Sequence, residues 1–247
     1  MKTDVMGVEF HNVTMDEAVE LAKQLIHRRA GAYCVTPNAE IVWEAMHNVD
    51  FRDIVNGASL VLPDGAGVVL GAKILGRPLK EKVAGIDFAD HIAQTLAQTG
   101  GSLYLLGSKP GIAEMAAQNL TKKYPGLQIA GTADGYFQEE EPVVSRILAA
   151  DPDVLFVCLG APKQEMFMAK YADRLPVGLM IGLGGSLDGF AGAVKRAPRW
   201  MIRCNLEWFY RLVKEPSRLG RMIRLPKFVL ACKKQRRKEL REAKHHG

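Results

Sequence analysis

Short apolar runs alternate with segments of helical periodicity along most of this chain of 247 residues. A run such as Val154–Leu159 is apolar at every position, which is typical of a strand buried on both faces. This alternation favours an α/β fold with a mostly parallel sheet and helices on both of its faces. Strands are predicted at Tyr33–Val35, Ser59–Leu62, Ser102–Leu106, Gln128–Gly131, Val154–Leu159 and Gly178–Ile181, with the first ten residues as a further candidate. Helices are predicted at Met15–Arg28, Ala39–His47, Gly67–Leu75, Ile86–Thr99, Ile112–Tyr124, Pro142–Ala149 and Pro162–Tyr171.

The pattern changes near Val194, where the alternation stops and a strongly basic segment begins. Residues 195–247 carry 17 Lys and Arg against 4 Glu, a net charge of +13, so residues 1–194 carry −7 of the overall +6. We therefore predict one core domain, residues 1–194, followed by a basic helical appendage, residues 195–247. An appendage of this charge needs a polyanionic partner or a fully solvated face.

Three interpretations of the appendage are open. A solvated charged face is the simplest, and nucleic-acid binding is the second, although aromatic residues that stack on bases are nearly absent after Tyr210. In the third, apolar residues such as Phe228 and Leu230 enter the surface of a membrane while the cations contact anionic lipid. The regular interleaving of Arg with Leu favours an anionic membrane surface as the partner, and we expect no nucleic acid.

Composition limits the compartment of the protein. The four cysteines, Cys34, Cys158, Cys204 and Cys232, form no C-x-x-C pair, which predicts neither a disulfide framework nor a zinc site. The first residues have no long apolar stretch, and nowhere do about twenty apolar residues run together. We expect a cytoplasmic protein that is peripheral on the inner face of the plasma membrane.

The loop from Leu62 to Gly67 carries the strongest indication of a site. It places Asp64 directly after a predicted strand, between Pro63 and Gly65, which suit a sharp turn. Open α/β sheets bind their ligands at the carboxyl ends of the strands. Asp64 therefore has two interpretations: it caps the helix that follows, or it is a general base that takes a proton from an attacking hydroxyl.

Two more polar loops follow predicted strands. Thr36 and Asn38 either close a turn and cap the next helix, or orient a sugar or phosphate beside Asp64. Successive strands are often neighbours in space, so we expect Thr36 to lie near Asp64. The third loop begins at Gly160 and carries Gln164.

Glycine-rich turns at Leu106–Gly111 and Gly182–Ser186 present backbone N–H groups of the kind that bind phosphate. Neither turn matches a dinucleotide fingerprint, so a dehydrogenase is not favoured: after Gly182 and Gly184, Leu187 stands where the third glycine is required, and Gly107-Ser108-Lys109 is also too short for a Walker loop. Asp151-Pro152-Asp153 has the D-x-D form that holds a metal in many nucleotide-sugar enzymes, but it precedes its strand. We predict a helix-to-strand turn there, at the opposite edge of the sheet from the site and without a metal.

Together these loops resemble those of the WecG/TagA/CpsF family of bacterial glycosyltransferases, and the resemblance covers nearly the whole chain. The matching stretches are TPNAEIV from Thr36, LPDGAGVV from Leu62, VAGID from Val83, LLGSKPG from Leu105, GYF from Gly135, LGAPKQE from Leu159, GLGGSLDGFAG from Gly182, RAPRW from Arg196 and NLEWFYRLVKEPSRLGR from Asn205.

The resemblance implies a Rossmann-like fold, an appendage that meets the membrane, and an inverting, metal-independent glycosyltransferase that uses no cofactor. Members of the family transfer an N-acetylaminosugar from a UDP-sugar donor to an acceptor, undecaprenyl-diphosphate-linked N-acetylglucosamine. The chain looks most similar to the TagA type, which uses N-acetylmannosamine for the linkage unit of wall teichoic acid. The oligomeric state stays open: exposed apolar residues on an undocked appendage would favour a homo-oligomer when the protein is not bound to a membrane.

Two alternatives to this function stay open. The same chemistry could use UDP-N-acetylmannosaminuronic acid or another UDP-hexose, for surface polysaccharide or exopolysaccharide. Outside the enzymes, the chain could be a nucleotide-binding module whose basic tail binds nucleic acid.

Residue by residue, the resemblance assigns Asp64 to the catalytic base and Thr36, Asn38 and Gln164 to polar positions of the active site. Lys82 stands where many relatives have Arg, so a point charge replaces a planar fork. The UDP pocket is assigned to Gly107, Ser108, Lys109, Tyr136, Gly160, Gly184, Gly185 and Asp188. The cations expected to meet the lipid diphosphate or the membrane are Arg211, Arg218, Arg221 and Arg224.

Overall fold

The computed structural model describes residues 1–194, 197–198, 200–201, 207–214 and 224–245. Its strands are β1 (Lys2–Val5), β2 (Val8–His11), β3 (Ala32–Val35), β4 (Leu60–Val61), β5 (Ser102–Gly107), β6 (Gln128–Ala133), β7 (Val154–Cys158) and β8 (Leu179–Gly182). Its helices are α1 (Met15–Arg28), α2 (Ala39–His47), α3 (Val49–Asn56), α4 (Ala66–Ile74), α5 (Gly85–Thr99), α6 (Ile112–Lys123), α7 (Glu141–Ala150), α8 (Lys163–Tyr171), α9 (Ser186–Phe190), α10 (Glu207–Lys214) and α11 (Arg224–His245).

Six of the strands form one parallel sheet in the order β4-β3-β8-β7-β5-β6. The register pairs Cys34 of β3 with Leu60 on one side and Ile181 on the other. All six strands predicted between Tyr33 and Ile181 are confirmed, and so is the α/β fold class. The first ten residues form an antiparallel hairpin of β1 and β2 rather than a single strand.

Helices cover both faces of the sheet, as the apolar strands predict. The first face carries α1, α5, α6 and α9, which bury residues such as Phe88 and Leu187 against Cys34 and Phe156. The second face carries α2, α3, α4, α7, α8 and α11, which bury residues such as Phe167 against Val35 and Val157.

Side-chain caps explain where two of the helices begin. Thr14 and Glu17 form a reciprocal capping box at the start of α1, as expected from their spacing. Asn48 Oδ1 accepts a hydrogen bond of 3.0 Å from the Phe51 N–H and so begins α3, a helix that the apolar pattern did not predict.

The final helix, α11, packs against α4 and α2. Phe228 and Cys232 are completely buried there, because Gly71 leaves room on α4: a Cβ at Gly71 would lie 2.7 Å from the Phe228 ring and 3.2 Å from the Cys232 sulfur. The expectation that Phe228 enters lipid is therefore wrong, whereas Leu230 is 64% exposed. No helix within the described ranges has both the length and the apolar character needed to cross a membrane.

The parallel strands give the sheet two distinct edges. At the edge where strands end, which we call the carboxyl edge, lie the loops 36–38, 62–65, 107–111, 134–137, 159–164 and 183–188. At the edge where strands begin, the amino edge, lie Arg29, Ser102 and residues 151–153. The chain leaves β3 toward the second face and its neighbour β8 toward the first, which opens a crevice between them at the carboxyl edge.

Candidate active site at the carboxyl edge

The first half of the site is formed by the loops after β3 and β4, which are neighbouring strands. The Asp64 N–H donates a hydrogen bond of 3.2 Å to the Pro37 carbonyl. Gly65 also lies close to Asn38, since a Cβ on the glycine would be 3.7 Å from the Asn38 Cβ, an ordinary van der Waals contact. The expected proximity of the Thr36 and Asp64 loops is therefore confirmed.

Asp64 lies half-buried in the loop between β4 and α4. The N-cap of α4 is Gly65, whose φ of 86° suits glycine, and no side chain caps the helix. The interpretation of Asp64 as a helix cap is therefore wrong. A carboxylate held on a rigid loop at this edge has the chemistry required of a general base.

Thr36 and Asn38 both bond to the backbone. Thr36 is buried, and its Oγ1 donates a hydrogen bond of 2.9 Å to the Gly182 carbonyl at the end of β8. Asn38 Oδ1 accepts from the Glu40 and Ile41 N–H groups, so the interpretation of Asn38 as a helix cap is confirmed. Its amide nitrogen is the group that remains for a ligand.

A backbone hydrogen bond of the next residue places Lys82 beside the loop that carries Asp64. The Val83 N–H donates a hydrogen bond of 2.9 Å to the Pro63 carbonyl, which places Lys82 beside the strand-end loop of Asp64. Lys82 is partly exposed, and within the described part of the chain it forms no ion pair. It is a cation at the edge that an anionic ligand could neutralise.

The second half of the site is formed by the loops after β5 and β6. Ser108 Oγ lies 3.1 Å from both carboxylate oxygens of Asp188, and the Ser108 carbonyl accepts a bond of 2.9 Å from the Gly135 N–H. Two of the predicted UDP-pocket residues, Ser108 and Asp188, are thus brought together. Ser108 itself adopts a left-handed φ of 60°, which is uncommon outside glycine.

Gly107 allows this convergence. A Cβ at Gly107, whose φ is 130°, would lie 2.3 Å from the Cys158 carbonyl oxygen, so only glycine fits. Burial raises the pKa of the neighbouring Cys158 thiol to about 12. Cys158 therefore stays protonated near neutral pH and does not supply a nucleophile at this edge.

The remaining residues predicted for the UDP pocket lie along the same edge. A Cβ at Gly160 or Gly184 would meet nothing within 4 Å, so both leave open space. Gly185 and Lys109 are exposed, and Tyr136 is 68% exposed. The structure therefore brings all eight predicted residues to the carboxyl edge, at the ends of β5, β6, β7 and β8.

Gln164 links the loops after β7 and β8, which lie between the two halves of the site. It is 3% exposed, and its Oε1 accepts a hydrogen bond of 2.8 Å from the Gly184 N–H. Its Nε2 donates to Oε1 of the next residue, Glu165, over 2.9 Å. Glu165 is fully buried, and that burial raises its pKa. Sequence reasoning missed Glu165; its place beside Gln164 in the polar loop after β7 was the available signal.

The predicted appendage cations are described only in part. Arg224 begins α11 and its Nη1 lies 3.2 Å from Glu44 Oε2 on α2. Arg211 lies in α10, but its side chain is outside the described structure, and Arg218 and Arg221 are outside the described residues.

The D-x-D segment lies at the amino edge, as predicted from its place before β7. Asp151 and Asp153 both form ion pairs with Arg29, and Asp153 also accepts from the Ser102 N–H and hydroxyl over 2.8 and 3.0 Å. These carboxylates bind protein groups, which explains the motif as a turn between α7 and β7.

Comparison with known proteins places this geometry in context. The family model described as "Glycosyl transferase WecG/TagA/CpsF family" matches residues 3–242. A protein of Bacillus subtilis (strain 168) is 38% identical over 95% of this chain and 93% of its own length; one of Bacillus spizizenii is 39% identical over 86% and 82%. One of Staphylococcus aureus (strain MW2) is 35% identical over 96% and 94%. All three are named N-acetylglucosaminyldiphosphoundecaprenol N-acetyl-beta-D-mannosaminyltransferase.

Proposed function

This chain belongs to the WecG/TagA/CpsF family of glycosyl transferases, and from that membership we propose that it transfers N-acetylmannosamine from UDP-N-acetylmannosamine to N-acetylglucosaminyldiphosphoundecaprenol. One observation carries the proposal: Thr36, Asp64 and Gln164 converge at the carboxyl edge of a chain that matches such transferases over nearly its whole length. This is the reaction expected for the linkage unit of wall teichoic acid.

Asp64 is the base in this proposal. The acceptor hydroxyl loses its proton to the Asp64 carboxylate as its oxygen attacks the anomeric carbon of the donor sugar, from the face opposite UDP. The bond from that carbon to the diphosphate oxygen breaks in the same step, which inverts the anomeric configuration. In the neighbouring loop after β3, Thr36 is fastened to the Gly182 carbonyl and Asn38 caps α2.

UDP leaves from the second half of the site. Its diphosphate gains negative charge as the glycosidic bond breaks, and we assign the stabilisation of that charge to backbone N–H groups of the glycine-rich turns and to Lys82, which lies beside the Asp64 loop. Ser108, Tyr136 and Asp188 are the side chains that we assign to the nucleoside part of UDP.

The lipid acceptor requires the enzyme to work at a membrane surface, and α11 offers a basic face for this. Its buried residues face α4, whereas cations at helical spacing are exposed on the other side: Lys227, Lys233, Lys234, Arg237, Lys238 and Arg241. Each cation near an anionic bilayer contributes about 1 kcal/mol, so this face supports reversible binding to the cytoplasmic side of the membrane.

The experiment is UDP release by the purified chain with a short-chain undecaprenyl-diphosphate-N-acetylglucosamine analogue and a panel of UDP-sugars. We expect release with UDP-N-acetylmannosamine and little with UDP-N-acetylglucosamine, and the release should require the acceptor. Release with a mannosaminuronic acid donor alone would change the pathway but keep the chemistry. Acceptor-independent UDP binding without release from any donor would contradict the proposal and favour a nucleotide-binding module.

The membrane part has its own test. The protein should cosediment with vesicles that contain about one third anionic lipid. The double variant Lys234→Glu/Arg237→Glu should bind these vesicles more weakly. Equal binding to vesicles of neutral lipid would contradict an electrostatic role for α11.

A further inference from the structure

Glu165 is a buried acid that no step of the proposed reaction uses. It lies in the first turn of α8, directly after Gln164, and its side chain is completely buried. Its Oε1 accepts the hydrogen bond from Gln164, whereas its Oε2 has no hydrogen-bond partner among the described residues. An unpaired buried polar atom lowers the free energy of unfolding by about 1–3 kcal/mol, so an acid at position 165 requires a reason.

The Gln164 amide is held at both ends. Its Oε1 accepts from the Gly184 N–H over 2.8 Å and its Nε2 donates to Glu165 over 2.9 Å. The oxygen and nitrogen of an amide have nearly the same shape, so packing alone does not choose between the two orientations. Reversal would place the Gln164 NH2 group against the Gly184 N–H, two donors facing each other. It would also place the Gln164 oxygen against the accepting oxygen of Glu165, so the Gly184 N–H and Glu165 together select the observed orientation.

The orientation of the Gln164 amide also fixes the loop after β8. The Gly182 carbonyl accepts from Thr36 Oγ1 over 2.9 Å, while Gly184 donates to Gln164, so the Gly182–Gly185 loop is fastened on both sides. Gln164 also packs directly on the loop, since a Cβ at Gly182 would lie 3.1 Å from its Nε2. These hydrogen bonds, together with the backbone from Gly182 to Gly184, thus connect Glu165 to Thr36 across the ends of β7, β8 and β3.

We propose that Glu165 is a positioning residue: it orients the Gln164 amide and, through it, holds the Gly182–Gly185 loop in place for the donor. The inference rests on the transferase activity proposed above. It assigns a task to a residue that contacts neither the base loop nor the predicted UDP pocket in any described hydrogen bond.

The role requires a carbonyl-type oxygen at the Oε1 position and does not require a charge. Burial raises the pKa of Glu165 and so favours the neutral acid, which keeps such an oxygen. Glu165→Gln also keeps it in a neutral side chain of the same shape. Glu165→Leu fills a similar volume but removes the acceptor. These two variants are therefore a matched pair.

Kinetics of UDP release provide the first test. We expect Glu165→Gln to stay within about threefold of wild type, and Glu165→Leu to lower kcat by roughly 100-fold, as displacements of about 1 Å do. In a Gln164→Ala background, Glu165→Leu should have no further effect, because Glu165 acts only through Gln164. Full activity of Glu165→Leu, or equal losses in both backgrounds, would overturn the inference.

Hydrogen exchange provides a second test that does not depend on activity. In Glu165→Leu, the peptide that contains Gly184 should exchange faster while peptides from β5 and α5 exchange as in wild type; Glu165→Gln should protect Gly184 normally. Faster exchange throughout the molecule, or none at Gly184, would overturn the positioning role. Glu165→Met serves in the same assays if the leucine variant does not fold.

These two readouts separate this inference from the proposed function. A wild-type protein that releases no UDP contradicts the transferase proposal, while the exchange at Gly184 still decides the role of Glu165. A wild type that is active beside a Glu165→Leu variant with unchanged kinetics and exchange contradicts the role of Glu165 alone.

Discussion

The two edges of the sheet use similar residues for different purposes. At the amino edge, Asp153 binds Arg29 and Ser102, so that its carboxylate joins three parts of the protein. At the carboxyl edge, Asp64 follows a strand in a loop that begins a helix without a side-chain cap, and farther along the same edge Gly160 and Gly184 leave open space. A carboxylate beside a turn is thus structural where it closes a network of protein groups. At the carboxyl edge, where Gly160 and Gly184 leave room for a ligand, we propose that the Asp64 carboxylate acts on the substrate.

The largest effect should follow from Asp64→Asn at the carboxyl edge. The amide keeps the shape of the carboxylate but cannot take a proton, so we expect kcat for UDP release to fall by about 10³-fold. The measurement is steady-state release with the lipid acceptor, normalised to the folded fraction from circular dichroism. Turnover within a few-fold of wild type, with the fold intact, would show that Asp64 is not the base.

Gly107→Ala should have the next largest effect, on stability. The new Cβ would lie 2.3 Å from the Cys158 carbonyl oxygen at a φ of 130°, so we expect a loss of roughly 3 kcal/mol or more in the free energy of unfolding. Gly111→Ala is the matched control, because its φ of 84° is also left-handed but its Cβ would meet open space. Denaturant unfolding compares the two, and equal losses would contradict a requirement for close backbone approach at Gly107.

Asp153→Ala tests the amino edge. Removal of the carboxylate leaves Arg29 and the Ser102 N–H without their partner, and we expect the free energy of unfolding to fall by about 2 kcal/mol. The kcat of the folded variant should equal that of wild type. A loss of kcat without a loss of stability would show that the amino edge takes part in the reaction and would contradict our comparison of the two edges.

The smallest effect is a pH dependence of stability that comes from His11. Its Nδ1 accepts a hydrogen bond of 3.0 Å from the Val61 N–H, which joins the hairpin to β4, and burial, followed by the nearby Lys2 charge, lowers the pKa of His11. The unfolded chain therefore binds the proton more readily. Stability should fall by about 1 kcal/mol as the pH drops below the ordinary histidine pKa of about 6.5.

We would measure the unfolding midpoints of wild type and His11→Gln between about pH 7.5 and pH 5 to isolate this contribution. These limits lie about 1 unit or more on either side of the ordinary histidine pKa. Glutamine can still accept from the Val61 N–H but does not titrate, so its stability should change less over this range. Identical pH profiles for the two proteins would remove His11 as the cause.

Local sequence patterns predicted the parallel sheet and the position of the loops that carry Thr36 and Asp64. Buried strands are visible as continuous apolar runs, and a polar residue after such a run must lie at the carboxyl edge, which is why Thr36 and Asp64 were found. The hairpin was missed as a pair of strands because its turn, Met6-Gly7, lacks the Asn-Gly form typical of such turns.

Contacts between distant segments were harder to predict. Phe228 belongs to an apolar and basic helix that resembles a membrane-surface helix, but its ring fits against Gly71, more than 150 positions earlier in the chain. Glu165 stands in a polar segment typical of an exposed helix start, and only the packing of α8 on the sheet buries it. Burial of this kind depends on which elements pack together in the folded protein, and local periodicity does not predict it.

The most direct test of the comparison is hydrogen exchange of the wild-type protein with and without UDP. We predict slower exchange in the carboxyl-edge segments 107–111 and 183–188 when UDP is bound, and no change in the amino-edge segments around Ser102 and residues 151–153. Protection at residues 151–153 with none at the glycine-rich turns would contradict the assignment of the site to the carboxyl edge.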